Sequence, residues 1–399
     1  MATVVHASQA LAANDLVAAA ELETGQRGMT DSGLRQRLGQ LVDWINERGP
    51  YDRAQLDPMR RQLQQLLVTR LRIAADRRRI PAIAAEAIER PIFVIGFPRS
   101  GTTLLHSLLA EDPAVHAPRA WHSHAPSPPP GEAPVCRGRL EIADRKVKQL
   151  LDFVPGLLPL HPYWDRYSQA LIEDEELFTL DLRNAYPTWL YHVPTLSVMV
   201  QIGGNDAAAT YDFHHQMLQH LQWNTGRRRW AVKGVGHQFL LDAIFAQYPD
   251  AICVWPHRDP VDNQASMFSI AAVLFEAINP GGTDWHEFAR TSTQAVSAGL
   301  QQVLNSPVID DPRLIHLPFS ALVSRPVETV QAIYERAQLP VTEQFEARMR
   351  AWLSDAENRS DRYGRYDYSY EPFGLDPAWV RSQFQQYRER FCSTTHAAT

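Results

Sequence analysis

Arg99-Ser-Gly-Thr-Thr103 combines a cation, a glycine and hydroxyl side chains in a pattern suited to holding an anion. It follows the short apolar run Ile92 to Ile95, which reads as a strand buried on both faces, and the turn residues Gly96 and Pro98. From Gly101 onward, Leu104, Leu105, Leu108 and Leu109 recur at helical spacing. Strand, tight turn and helix together aim unpaired helix-start N–H groups, and the positive end of the helix dipole, at whatever fills the turn. Gly96 and Gly101 keep the separation of the two glycines in the nucleotide-triphosphate P-loop, but Thr102 stands where that motif has Lys. A phosphoryl-transfer loop needs that Lys and a metal against a multiply charged γ-phosphoryl group. A sulfuryl group carries less charge, so Arg99 with the helix-start donors can serve it without metal.

Other residues could complete such a site. Lys233 ends the strand-like run from Trp230 and leads into Gly234-Val-Gly-His237, a setting that suits it as a ligand for a transferred group, the alternative being a surface Lys at a turn. Arg258 follows another apolar run, Ala251 to Trp255, broken by Pro256. Asp259 suits an N-cap and Pro260 the first position of the next helix. Arg258 and Ser266 can therefore converge on one anion, from a strand end and a helix flank. A general base is sought among His122, its rival His237 and, more weakly, His124. The first and third lie in a segment ending in Pro126, Pro128, Pro129 and Pro130, which reads as stiff and extended.

Positioning these residues takes strands near 92, 230, 251 and 313, alternating with helices. That order predicts an α/β fold, a P-loop-like parallel sheet flanked by helices. Residues 1–90 read as a helical N-terminal extension and 91–399 as the α/β domain. In the extension Leu34, Leu38, Leu41, Val42 and Ile45 form one apolar stripe, and Leu63, Leu66, Leu67, Leu71 and Ile73 another. Arg77-Arg78-Arg79 reads as a solvated helix end, and Glu173-Asp-Glu-Glu176 as a solvated helix face. The polar and aromatic stretch from Arg359 to Ser369 reads as a loop able to fold over a nucleotide.

With 399 residues, 45% hydrophobic and 21% charged, the chain can bury a sizeable core. A net charge of -6 argues against nucleic acid as a partner. Cys136, Cys253 and Cys392 are too few and too scattered for a disulfide framework or a zinc site. With no signal-like start and no apolar run of membrane length, the expectation is a cytoplasmic protein without a membrane span. A homo-oligomer using the N-terminal helices is one way to employ that extension.

Taken in order, the loop at 96 to 105, Lys233, Arg258-Asp-Pro with Ser266, and Tyr368-Ser369 through Asp376 resemble sulfotransferases using 3′-phosphoadenosine 5′-phosphosulfate (PAPS). The similarity is to the bacterial branch related to protein-tyrosine sulfotransferases. The resemblance implies that Arg99, Ser100, Gly101, Thr102 and Thr103 hold the 5′-phosphosulfate, and that Arg258 and Ser266 hold the 3′-phosphate. It implies that Arg362, Gly364 and Arg365 belong to a late nucleotide-covering loop, with no metal needed. After the Trp matching Trp121 such proteins usually have Glu as the base, whereas this chain has His122. Gly234 and Val235 follow Lys233 where the family has a small or apolar residue and then Pro. The implied reaction moves a sulfuryl group to a hydroxyl or amine of a small, largely apolar acceptor. Trp121, Tyr163, Trp164, Tyr186 and Trp189 are the aromatics that suggest its character. The alternatives are a P-loop-type kinase and a related protein that binds the nucleotide without releasing a sulfated product.

Overall fold

The computed structural model describes residues 10–28, 31–132, 137–184, 186–193, 206–364 and 368–392. The chain divides into two compact units. One comprises 1–87, 120–150 and 175–226, and the other 88–119, 151–174 and 227–399.

The second unit is built on a five-stranded sheet of order β2-β3-β1-β4-β5, parallel throughout. Its strands are β1 (Ile92–Val94), β2 (Val115–His116), β3 (Arg229–Lys233), β4 (Ile252–His257) and β5 (Leu314–Pro318). The anticipated strands are all present. β2 is new, a two-residue edge too short to leave a periodic signal. Every residue of β1 is buried, because helices cover both faces of such a sheet. Ile92 and Val94 face a cluster containing Leu105, Leu108 and Leu109, and Phe93 points the other way, against Tyr248 and His237.

Pro256 was expected to end its strand, yet β4 continues through it to His257. Ile252 N donates to Pro91 O on the β1 side, Cys253 N to Arg313 O on the β5 side, and Val254 O accepts from Ile95 N. By that alternation Pro256 faces the β1 side, where pairing has stopped after Val254. Its missing N–H therefore removes no ladder bond.

The other unit is helical. It holds α1 (Ala13–Thr24), α2 (Ser32–Glu47) and α3 (Arg53–Arg79), with the helix Ala207–Gln222. Both sequence-read stripes are buried. Asp31 caps α2 through Leu34 N, and Asp52 with Gln55 forms a capping box on α3. Arg37, Arg70 and Arg183 all pair with the buried carboxylate of Asp181. The expected solvated end of α3 is corrected at Arg77, which donates to Gln216 O at 2.8 Å and to Gln219 Oε1 at 3.1 Å. Its long stem lets it lie half-buried while the guanidinium finds backbone and amide acceptors.

Among the described residues no helix is long and apolar enough to cross a membrane.

Candidate active site

β1 ends at Val94, and the loop that follows uses positive φ three times: Gly96 at 121°, Arg99 at 66° and Gly101 at 88°. The two glycines are required by crowding as well as by dihedral. A Cβ on Gly96 would lie 2.8 Å from Trp255 Cδ1, and one on Gly101 2.9 Å from Leu322 Cδ2. Arg99 has no such freedom, and its left-handed backbone is strain of the kind kept at working sites. The buried Ser100 hydroxyl donates to Phe97 O at 2.7 Å, so it closes the turn. Helix α4 (Thr102–Leu109) starts directly after Gly101, with no side-chain cap on its first N–H groups. Those donors and the hydroxyls of Thr102 and Thr103 are what the loop offers an anion.

β3 pairs with β1 so that Lys233 lies opposite Val94, the last strand residue before the loop. Lys233 Nζ contacts Glu173 Oε1 at 2.7 Å, with both side chains largely buried. His237 is fully buried, and its Nε2 lies 3.0 and 2.9 Å from the two oxygens of Asp174, also fully buried. Asp174 N in turn donates to Lys233 O at 3.1 Å. The acidic run is therefore not a solvated face: Asp174, Glu175 and Glu176 are buried, and Thr188 donates to Glu176 at 2.7 Å. Asp174 and Glu176 are each matched by a donor, His237 and Thr188, which is the condition for keeping a carboxylate buried. One signal was available, since apolar residues bound the run on both sides, Ala170-Leu-Ile172 before it and Leu177-Phe178 after.

Arg258 stands between β4 and the helix Pro260–Ile278, which Asp259 caps through Val261 N at 3.0 Å, as its sequence suggested. Arg258 Nη1 donates to Arg99 O at 3.0 Å, and its guanidinium lies over the Phe319 ring at 4.8 Å. Further along that helix, Ser266 Oγ is buried without a hydrogen-bond partner among the described residues, as are both polar atoms of Asn263. A buried hydroxyl left unpaired is costly unless a ligand completes it.

The late segment reaches the loop through Tyr368, whose ring lies 5.9 Å from the Arg99 guanidinium. Tyr370 OH donates to Val261 O at 2.6 Å. Arg362 is turned toward its own support, pairing with Asp165 Oδ2 at 2.7 Å and donating to Arg359 O at 2.9 Å. Gly364 has φ 98° and is exposed, and Arg365 lies outside the described residues.

His122 and His124 belong to the helical unit. The expected extended segment begins as a short helix, Ala120–His124, with the prolines following it. His122 is buried, its ring centroid 3.8 Å from that of Trp121. His124 packs its ring against Trp189, and Lys146 Nζ lies 4.3 Å from the centre of that indole. Burial pushes Lys146 down to about 8. Trp121 and Trp189 are core residues here, and so is Trp164 in the other unit, whereas Tyr163 and Tyr186 stay partly exposed.

An anion loop between a parallel strand and a helix, with Lys233 beside it and an arginine behind it, is the arrangement expected of sulfuryl transfer. Residues 91–343 match the sulfotransferase family, and the chain belongs to it. It is similar in structure to sulfotransferase STF9 from Mycobacterium avium, at 25% identity over 98% of each chain with a TM-score of 0.81. Sulfotransferase STF1 from Mycobacterium tuberculosis H37Rv is also 25% identical, over 95% of this chain and 100% of that one, with a TM-score of 0.75. A search of curated proteins found no match.

Proposed function

We propose that the chain moves a sulfuryl group from PAPS to a hydroxyl or amine of a small, largely apolar acceptor, as a cytoplasmic enzyme. The observation that carries this is the register of Lys233 against Val94, which sets a lysine at the strand end from which the Arg99 loop departs. The residues present fit the donor: helix-start N–H groups for its 5′ end, and Arg258 with the unpartnered Ser266 hydroxyl for its 3′-phosphate. When bound, the donor supplies a sulfur–oxygen bond to a phosphate that leaves readily.

The chain's own residues then divide the work. The first N–H groups of α4, with Thr102 and Thr103, orient the anion, and Arg99 neutralises charge that grows on the leaving oxygen. Lys233, held by Glu173, steadies the sulfuryl oxygens. His237 is locked against Asp174 and acts as a positioning residue for the turn after Lys233. Tyr163, in the same unit as the Arg99 loop and partly exposed, is an aromatic that suits an apolar acceptor. Calorimetry with adenosine 3′,5′-bisphosphate, beside ATP with Mg²⁺, tests the reading. Tighter binding of the bisphosphate is expected, and preference for ATP would point to a kinase instead.

A further inference from the structure

No sequence motif marks the C-terminal helix Gln385–Phe391 as part of a site, yet it holds both chain neighbours of Arg258. On one side, the Tyr387 hydroxyl lies 2.7 Å from His257 Nδ1, and His257 Nε2 lies 2.8 Å from His316 Nδ1. His316 Nε2 meets Ile309 O at 2.9 Å, and a carbonyl can only accept, so that nitrogen carries a proton. Burial lowers both imidazoles, and in the neutral rings His316 Nδ1 then accepts from His257 Nε2, and His257 Nδ1 from Tyr387 OH. Phe391 lies flat on His257, the ring centroids 3.9 Å apart at an angle of 3°. On the other side, Arg388 Nε donates to Asp259 Oδ2 at 2.8 Å, while Asp259 Oδ1 accepts from Val261 N. The same helix touches the anion loop, where Phe97 packs edge-on against Tyr387 at 5.6 Å.

Arg258 is the cation that the reading above assigns to the 3′-phosphate, and two carboxylates flank it. Asp259 is its chain neighbour, and Asp262 Oδ2 lies 3.5 Å from its Nε. One guanidinium between two carboxylates has no positive charge to spare for a phosphate. Arg388 supplies the missing cation by pairing with Asp259. Both partners of that pair are partly exposed, so it adds little to the stability of the fold. What it does is local: it occupies the Asp259 oxygen that would otherwise be free to pair with the guanidinium next door.

We propose that Arg388 is a positioning residue for the donor nucleotide, acting through Asp259 to keep Arg258 available to the 3′-phosphate. The role rests on the sulfuryl-transfer reading above. Tyr387 and Phe391 fix the helix on His257, so that Arg388 meets Asp259 in one geometry. Without Arg388, Asp259 keeps its cap through Oδ1 and turns its other oxygen on Arg258, where it competes with the phosphate.

Calorimetry with adenosine 3′,5′-bisphosphate on variants of the full chain gives the test. Arg388→Met keeps the apolar stem, removes donor and charge, and should weaken binding about tenfold. Arg388→Lys keeps the charge and should weaken it less than about threefold. Asp259→Asn retains an oxygen for the cap and removes the competing charge, so adding Arg388→Met to it should change affinity less than about twofold. A helix that merely packs predicts the opposite, an undiminished loss in the double variant. Wild-type affinity in Arg388→Met, or a loss of about tenfold that persists when Asp259 is already neutral, overturns the role of Arg388 alone. Absence of bisphosphate binding in wild type overturns the donor reading and this role with it.

Discussion

The loop at 96–103 and the pair Glu173-Asp174 both belong to the sheet-bearing unit, yet only the loop announces itself in the sequence. The loop works through local geometry: positive φ at Gly96, Arg99 and Gly101, and a helix start immediately after. Its chemistry is written in consecutive residues. The acidic run works through partners far along the chain, Glu173 with Lys233 and Asp174 with His237. Four neighbouring carboxyls look like surface until their burial is known. The loop should therefore fail in turnover when altered, and the run in folding or in the setting of Lys233.

Arg99→Ala tests the loop and should give the largest effect. Charge on the leaving oxygen grows as the sulfur bond breaks, so the loss falls mainly on the transition state. Turnover should drop about 10²–10³-fold, with nucleotide affinity changed far less. If only the Michaelis constant for donor rose, Arg99 would be a binding residue and no more. Arg258→Ala should show the converse. Removing a charge-assisted contact to phosphate weakens binding of adenosine 3′,5′-bisphosphate about ten- to a hundredfold, by about 1.5–3 kcal/mol. Unchanged affinity in the folded variant would count against its place at the 3′-phosphate.

The run is tested by Asp174→Ala beside Glu173→Gln. Asp174→Ala leaves the buried His237 ring without its carboxylate partner and should lower unfolding free energy by about 1–3 kcal/mol in denaturant titration. Glu173→Gln keeps an acceptor for Lys233 and should unfold near wild type while changing donor turnover. Equal stability in the Asp174 variant would return the run to the surface role that its composition suggested.

This contrast sets what was legible. Apolar runs gave the β1, β3, β4 and β5 positions, and period gave the stripes of α2 and α3. The Arg99 loop, Lys233 and the Asp259 cap were readable because each depends on residues within one turn or one strand end. β2 was hidden because two residues carry no period, and Pro256 misled because its harmlessness depends on where β1 stops. Glu173 and Asp174 were missed because their partners, Lys233 and His237, lie elsewhere in the chain.

Buried histidines give a pH arm to the comparison, since His106 ties α4 to β3 through Ala231 O at 3.1 Å. Burial, then the Lys233 charge, lower it to about 4 in the folded chain. Unfolded, it titrates near 6.5. Its folded-state pKa is depressed, so nothing is lost above about 6.5, and stability falls as pH drops from there toward about 4. At pH 5 the contribution is about 2 kcal/mol for this group alone. His106→Gln, which can still donate to Ala231 O, should flatten the fall of Tm between pH 7 and pH 5 without abolishing it. His257, His316 and His220 are lowered by burial too and keep part of the slope. A slope identical to wild type would mean that His106 is protonated in the folded protein.

The smallest effect is expected at Arg362, and it separates holding a nucleotide from holding the segment around it. The resemblance assigns Arg362 to a nucleotide-covering loop. Its guanidinium is engaged by Asp165 Oδ2, Pro162 O and Arg359 O, and Asp165 also accepts from Tyr363 OH at 3.0 Å. Pulling it onto a phosphate would sacrifice the ion pair and both carbonyl contacts, so a phosphate gains little from it. Among the described residues of this segment, Tyr368 approaches the loop, through Arg99. Arg362→Ala should therefore weaken adenosine 3′,5′-bisphosphate binding less than about fivefold, under about 1 kcal/mol, far less than Arg258→Ala. It should also raise hydrogen exchange in 159–165 and 359–364, which a phosphate ligand at Arg362 would leave unchanged in the nucleotide-free protein. A loss of affinity matching that of Arg258→Ala would place Arg362 on the nucleotide and require its contacts with Asp165 and Pro162 to break on binding.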